Sequence, residues 1–216
     1  MTNKYMYFIA NWKMFGGLNT LNSLHKVESF FRKFKKNKFI KIVYCPPSTL
    51  IRPMSKKLQK TKIEVGAQNC HQSEISGAFT GSINPMMLKN VGAKFVIIGH
   101  SENRREGESD KLINKKIRTS IKVGLKVIFC IGETLQEKRK KMTKKVLSRQ
   151  IMNGLKNIKN KKNIIIAYEP VWAIGTGLIP RIKDLFSSVE FIKDKIKNVK
   201  ILYGGSVAPN NIKELK

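Results

Sequence analysis

Short apolar or β-branched runs recur along the chain and predict its strands. The runs show little strict alternation of apolar and polar positions, which is typical of strands buried on both faces of a parallel sheet. Seven parallel strands are therefore expected. The runs are YMYFIA at 5–10, FIKIVYC at 39–45, KIEVGA at 62–67, KFVIIG at 94–99, KVIFCIG at 126–132, NIIIAY at 163–168 and VKILYG at 199–204.

Segments with helical spacing separate most of these runs. Each segment places apolar residues on one stripe and lysines on the other side, as in a helix packed on a sheet. Such strand–helix repeats form right-handed βα units. Periodicity leaves open whether this α/β sheet is doubly wound or closed into a barrel. The clearest stripes are Leu18, Leu21, Leu24, Val27, Phe31 and Phe34; Leu112, Ile113, Ile117 and Ile121; and Ile182, Leu185, Val189, Ile192 and Ile196.

Length and composition predict a single soluble domain over residues 1–216. A chain of 216 residues that is 41% hydrophobic can bury one sizeable core. The first apolar run is too short for a membrane span, and Asn11 and Lys13 interrupt it where a signal peptide needs continuity. The three cysteines show neither CxxC spacing nor a Cys/His cluster, which indicates reduced thiols and no zinc site. We therefore expect a cytoplasmic protein.

Charge is the abnormal quantity in the composition. The chain has 43 lysines and arginines against 14 acidic residues, and its formal net charge of +29 would attract any polyanion. The lysines are spread over nearly every helical segment, and no RNP-like, zinc-finger or stacked-aromatic pattern accompanies them. We therefore expect no specific nucleic-acid partner. A compositional bias that also helps to steer a phosphorylated substrate is favoured over a basic polyanion-binding protein.

The residues directly after the strands are polar and chemically specific. In either architecture, ligands collect at the carboxyl ends of parallel strands. Lys13, His100 and Glu169 follow the first, fourth and sixth runs, and they provide a cation, an electrophile and a base. Gly204-Gly205-Ser206 follows the seventh run, where a bare backbone can offer N–H groups to a phosphate. These residues predict proton transfer on a small phosphorylated substrate.

Seven motifs, in order along the whole chain, resemble those of the triosephosphate isomerase family. The resemblance implies a (β/α)8 TIM barrel, which decides what periodicity leaves open. It implies triose-phosphate isomerase activity in glycolysis and gluconeogenesis, the interconversion of dihydroxyacetone phosphate and D-glyceraldehyde 3-phosphate through an enediol(ate). The motifs are NWK at 11–13, GAQN at 66–69, GAFTG at 77–81, GHSE at 99–102, CIGET at 130–134, AYEPVWAIGTG at 167–177 and YGGSV at 203–207.

Catalytic roles follow from the same resemblance. It implies that Glu169 is the base and that His100 polarises the substrate carbonyl as a neutral imidazole. Lys13 is expected to stabilise negative charge on the enediolate and the phosphate. Asn11 and Glu102 are expected to orient that lysine and a substrate oxygen.

Binding roles complete the set. The resemblance implies that a lid, Val171 to Gly177, closes over the substrate, and that backbone N–H groups of Gly175 and Ser206 bind its phosphate. The loop from Cys70 to Gly81 resembles the segment that reaches into a second subunit in this family, so a homodimer is implied. No metal and no organic cofactor are implied, because proton transfer needs neither.

The sequence stops earlier than the family pattern, which continues past YGGSV into another helix and an eighth strand. We expect a barrel that lacks its eighth βα unit. The sequence ending at Lys216 would then be a truncated form of a longer protein, or a divergent form that closes its barrel another way. A phosphate-binding barrel that has lost catalysis is the main alternative function.

Overall fold

A computed structural model of the chain describes residues 5–33, 37–209 and 211–213. Within these residues, every predicted run forms a strand, and the strands are hydrogen-bonded in chain order. The first three neighbouring pairs and the last pair are parallel, as predicted. The strands are β1 Met6–Asn11, β2 Ile40–Cys45, β3 Glu64–Ala67, β4 Phe95–Ile98, β5 Lys126–Ile131, β6 Ile164–Tyr168 and β7 Lys200–Tyr203.

Helices connect the strands throughout the described part of the chain. The three apolar stripes lie in α1 and the 3-10 turn before it, in α5, and in α8 with its C-cap; Phe34 lies outside the described residues. The α-helices are α1 Leu24–Lys33, α2 Ser48–Leu58, α3 Pro85–Asn90, α4 Ser101–Arg105, α5 Asp110–Lys122, α6 Leu135–Arg139, α7 Thr143–Gly154 and α8 Ile182–Lys195. Leu18–Ser23, Asn37–Phe39 and Val171–Ala173 are 3-10 helices.

Contacts between residues divide the chain into two compact units. The first unit contains Met1–Ile97 and Thr119–Val127. In this unit α2 packs against β3, and Val43 on β2 and Ile51 on α2 are completely buried. The register of β1 and β2 sets Asn11 opposite Cys45. The backbone at the carboxyl end of β1 is therefore fixed just before Lys13.

The second unit contains Ile98–Arg118 and Ile128–Lys216. Phe129 on β5 is completely buried and packs against α7 at Gly154, where an added Cβ would lie 2.4 Å from the Phe129 ring. The register of β6 and β7 sets Tyr168 opposite Tyr203. Glu169 therefore leaves β6 beside the Gly204 turn that follows β7.

We expect all three thiols to be unreactive in the folded chain. Cys45, Cys70 and Cys130 are buried, and burial raises the pKa of the Cys45 thiol to about 12, so little thiolate forms at neutral pH. A bulky maleimide at pH 8 should label none of them before denaturation and three afterwards. Rapid labelling of the folded chain would contradict this burial. The Cys45 thiol has a higher pKa in the folded chain than in the unfolded chain, so the unfolded chain loses this proton at a lower pH. The contribution of Cys45 to the free energy of unfolding should therefore decline as the pH rises through 9 towards 12.

Candidate active site

His100 and Glu169 face each other in the second unit at the ends of β4 and β6. The Nδ1 atom of His100 accepts a hydrogen bond from the Glu102 backbone N–H at 3.3 Å. A neutral imidazole with Nδ1 as acceptor carries its proton on Nε2. This Nε2 lies 3.9 Å from Oε2 of Glu169, and both residues are buried. The pair therefore presents an N–H donor and a carboxylate on one side of the imidazole.

Glu102 acts on this pair through His100. The backbone N–H of Glu102 donates to His100 Nδ1, and the carboxylate Oε2 of Glu102 lies 3.5 Å from the same nitrogen. The Glu102 side chain is 41% exposed. The backbone hydrogen bond uses Nδ1 as its acceptor and so favours a proton on Nε2, whereas the carboxylate alone would favour a proton on Nδ1. The sequence predicts that Glu102 orients Lys13 and a substrate oxygen, and that role stays a prediction. The contact described here is with His100.

The carboxylate of Glu169 is seated by its neighbours on β5 and β7. Cys130 Sγ donates a hydrogen bond to Glu169 Oε1 at 3.2 Å. At Gly204, a Cβ would lie 2.6 Å from Glu169 Cγ, so glycine leaves the space that this side chain needs. Gly132 does the same for the backbone, since a Cβ there would lie 1.8 Å from the Glu169 carbonyl oxygen.

Glu133 anchors the start of the predicted lid. This side chain is almost completely buried and accepts hydrogen bonds from the Tyr168 hydroxyl at 3.1 Å and from Trp172 Nε1 at 3.0 Å. Its carbonyl accepts from the Val171 N–H at 3.0 Å. Burial, and secondly the charge of Glu133, raise the pKa of Tyr168. The Nζ atom of Lys138 lies over the Trp172 ring, 3.6 Å from its centroid.

Ser206 fastens the rest of the lid. Its hydroxyl donates to the Ala173 carbonyl at 2.7 Å and accepts from the Gly177 N–H at 3.2 Å. The backbone N–H of Ser206 donates to the same Ala173 carbonyl at 3.2 Å. A phosphate could take that N–H only by displacing the lid carbonyl. Gly175 lies at the tip with a φ of 70°, and no atom approaches the position of its absent Cβ within 4 Å.

Asn11 and Lys13 belong to the first unit, where they follow β1. Lys13 has a φ of 51°, a left-handed conformation that is strained for a residue with a side chain. Two amides hold it: Asn11 Oδ1 accepts from the Lys13 N–H at 2.9 Å, and Gln68 Nε2 donates to the Lys13 carbonyl at 2.8 Å. A defined backbone geometry is thus imposed on the one lysine that the sequence singles out.

Three contacts of this site were not predicted. The sequence analysis gives Cys130 no individual role; its side chain is buried and donates a hydrogen bond to Glu169. Glu133 and Gln68 occur in the motifs CIGET and GAQN, each directly after a strand, and the sequence analysis gives them no role of their own. Their partners lie on or directly after other strands, so the roles depend on sheet order and cannot be inferred from local pattern.

We expect Gly204→Ala to displace the Glu169 carboxylate. The new Cβ would overlap Glu169 Cγ, and a shift of about 1 Å in a reacting group typically costs about 10²-fold in rate. Turnover of a triose phosphate should fall by about that factor, with a smaller change in KM. Gly17→Ala is the matched control, because no atom lies within 4 Å of its added Cβ. Unchanged turnover in Gly204→Ala would show that Glu169 is not seated this way.

Among the described residues, no group of three or more His, Cys, Asp or Glu side chains is placed so that it could hold a metal ion. None of the described helices combines the length and apolarity needed to cross a bilayer.

Comparison with known proteins gives consistent matches. The model of the family described as triosephosphate isomerase matches residues 6–216. The triosephosphate isomerase of Carboxydothermus hydrogenoformans is 41% identical over 221 residues, covering 96% of this chain and 87% of that protein. That of Aquifex aeolicus is 43% identical over 216 residues, covering 95% and 86%. The crystal structure of triosephosphate isomerase from Bartonella henselae superposes with a TM-score of 0.87 at 35% identity, covering 97% and 86%.

Proposed function

This chain belongs to the triosephosphate isomerase family, and we propose that Glu169, His100 and Lys13 carry out its reaction. Its fold class is the α/β TIM barrel. Its activity is that of a triose-phosphate isomerase, which interconverts dihydroxyacetone phosphate and D-glyceraldehyde 3-phosphate. No observation favours the two alternatives, a barrel without catalysis or a polyanion-binding protein.

The close approach of His100 Nε2 and Glu169 Oε2, 3.9 Å apart, is the observation that carries the proposal. Isomerisation requires loss of a proton from a carbon next to a carbonyl. Glu169 takes this proton while the Nε2–H of His100 donates a hydrogen bond to the carbonyl oxygen. Two groups at this separation can act on adjacent atoms of one small molecule. The proton then returns to the neighbouring carbon, which exchanges aldose and ketose.

Lys13 provides the positive charge that the enediol(ate) and the phosphate need. A fixed cation stabilises the negative charge that develops on the oxygen without reorganisation at the moment of reaction. The strained backbone held by Asn11 and Gln68 supports this role, because strain of this kind clusters at sites where one geometry is required. Asn11 positions Lys13 because its side-chain oxygen accepts a hydrogen bond from the Lys13 backbone N–H.

The lid excludes water from the Glu169 carboxylate and completes the phosphate site. Removing water raises the basicity of a carboxylate and prevents loss of phosphate from the enediol intermediate. Gly175 is exposed at the lid tip with the backbone freedom to present its N–H to the phosphate. In the present arrangement the Ser206 N–H donates to the Ala173 carbonyl of the lid. When that carbonyl moves away, the same N–H binds the phosphate.

Steady-state kinetics with both triose phosphates test the assignment. The chain should be produced in a host without its own isomerase gene, because traces of a fast enzyme would dominate the assay. Activity in both directions, with the same equilibrium ratio from either substrate, is expected. A folded chain without activity would leave the family assignment intact and overturn the proposed roles.

We propose that the chain forms a homodimer through the first unit. Met14, Phe15 and Leu18 after β1, and Ile75 and Phe79 in the loop from Cys70 to Gly81, are exposed although they are apolar. The loop is held in shape by the His71 N–H, which donates to the Ile83 carbonyl at 2.8 Å. Exposed apolar groups of this size on an ordered loop are typical of protein interfaces.

Sedimentation velocity checks this proposal. Wild-type chain should sediment as a dimer, and Ile75→Asp should shift it to monomer by placing a charge in the interface. Phe186→Asp on α8 is the control, since Phe186 is equally apolar and 63% exposed but lies in the second unit. The dimer is excluded if wild type sediments as a monomer at micromolar concentration.

For this enzyme we also propose a cytoplasmic location and a place in glycolysis and gluconeogenesis.

A further inference from the structure

The chain contains the same four-residue turn twice, as VGAK at 91–94 and VGLK at 123–126. Each copy leaves a helix, α3 or α5, and leads into a strand, β4 or β5. Gly92 and Gly124 have φ values of 100° and 89°. The residue after each glycine donates to a carbonyl five residues earlier, at 3.0 Å in both copies. The two turns thus end their helices with the same hydrogen-bond pattern.

These two turns lie side by side in the first unit. The Lys126 N–H donates to the Lys94 carbonyl at 2.9 Å, which sets the last residues of the two copies next to each other. A third lysine, Lys89 in the last turn of α3, reaches across so that its Nζ donates to the Val123 carbonyl at 2.7 Å. A Cβ at Gly124 would lie 3.4 Å from that Nζ, so glycine leaves room for the ammonium group.

The three lysines surround an open cavity of about 310 Å³ at the amino-terminal ends of β4 and β5. Ala93 and Leu125 form its buried apolar floor. One carboxylate is near, since Glu64 Oε1 lies 3.8 Å from Lys94 Nζ. The Nζ atom of Lys126 lies 4.9 Å from the centroid of the Phe95 ring. Three lysines against one carboxylate give the residues around the cavity a net positive charge. Lys13 follows the carboxyl end of β1, so the cavity lies at the other end of the parallel strands.

We propose that this cavity binds a small multivalent phosphate anion. Lysine is a common phosphate ligand that acts as a point charge, and three lysines around one cavity favour an anion with more than one negative charge. The cavity volume is at the lower limit for small-molecule sites, so a diphosphate or the phosphate chain of a nucleotide fits better than a larger molecule. The N–H groups of Lys94 and Lys126 already donate to backbone carbonyls, so the ammonium groups supply the recognition.

Calorimetric titration with pyrophosphate and with ATP at about 0.15 M salt tests the proposal. The cavity variant combines Lys89→Gln, Lys94→Gln and Lys126→Gln. Its matched control combines Lys26→Gln, Lys56→Gln and Lys60→Gln, three exposed lysines of the same unit with the same total charge change. Both variants keep the proposed active site, so a difference between them reports the cavity. Thermal unfolding and isomerase kinetics should be alike in the two.

Pyrophosphate should bind the cavity at least tenfold more weakly in the cavity variant, and within twofold of wild type in the control. Lysine-to-arginine changes at the same three positions should retain binding. ATP binding tighter than pyrophosphate would assign a nucleotide, and equal affinities a free diphosphate. If pyrophosphate binding weakened equally in the cavity variant and the control, the proposal would be overturned, because the anion would then be attracted by the net charge of the whole chain. Pyrophosphate affinity that stayed at the wild-type value in both variants would also overturn it. If the triple variant does not fold, Lys94→Gln and Lys126→Gln alone decide, with about threefold weakening expected from each.

Discussion

Glu169→Gln should lower kcat for triose phosphate isomerisation by about 10³- to 10⁴-fold, because an amide cannot accept the proton from carbon. The substitution keeps the size of the side chain and an Oε1 that can still accept from Cys130 Sγ. KM should therefore change little, and the thermal unfolding midpoint should stay within a few degrees of the wild type. Steady-state kinetics in both directions and a thermal melt provide the measurement.

Glu190→Gln is the control for this loss. Glu190 lies exposed on α8 of the same unit, so the change removes the same charge far from the proposed chemistry. Activity of Glu190→Gln should equal that of the wild type. If Glu169→Gln retained a tenth or more of the wild-type kcat, another group would have to be the base.

Lys13→Ala should lower kcat/KM by about 10²- to 10³-fold through loss of charge stabilisation. Lys13→Gly should lose as much activity, but it should be about 1 kcal/mol more stable than Lys13→Ala, because the φ of 51° costs glycine nothing. Enzyme kinetics and urea unfolding of the two variants measure these effects separately. Together they separate the ammonium charge from the backbone conformation that presents it.

Lys26→Ala controls for the general charge of the chain. It removes one of the 43 basic residues from an exposed position on α1, and long-range steering alone predicts a similar small loss for either lysine. Lys26→Ala should stay within twofold of the wild type. Equal effects of the two substitutions would mean that Lys13 acts only as part of the field.

Strands were predictable from the sequence because both faces of a parallel strand are buried. The run KFVIIG therefore contains Phe95–Ile98, in which every residue is buried. The choice between a doubly wound sheet and a barrel was not predictable from pattern, since a strand has the same apolar neighbours in both. Motif resemblance decided it, and the family match confirms the TIM barrel.

The sequence predicts the catalytic residue types, but it does not predict the neighbouring residues that hold them in position. His100 and Glu169 stand next to strand ends in specific motifs, and the structure brings them together. The hydrogen bond from Cys130 depends on β5 and β6 being neighbours, and the space at Gly204 depends on the register of β6 and β7. The left-handed backbone of Lys13 has no sequence signal, because lysine does not favour that conformation.

Isomerisation in D2O tests the central claim, that Glu169 transfers the proton between the two carbons. A carboxylate that holds the proton between the two steps can exchange it with solvent. We expect deuterium on the product carbon next to the carbonyl during the first turnovers of the wild type, and no labelled product from Glu169→Gln on the same timescale. If the wild type and Glu169→Gln both formed product at the wild-type rate and without deuterium, Glu169 could not be the group that transfers the proton.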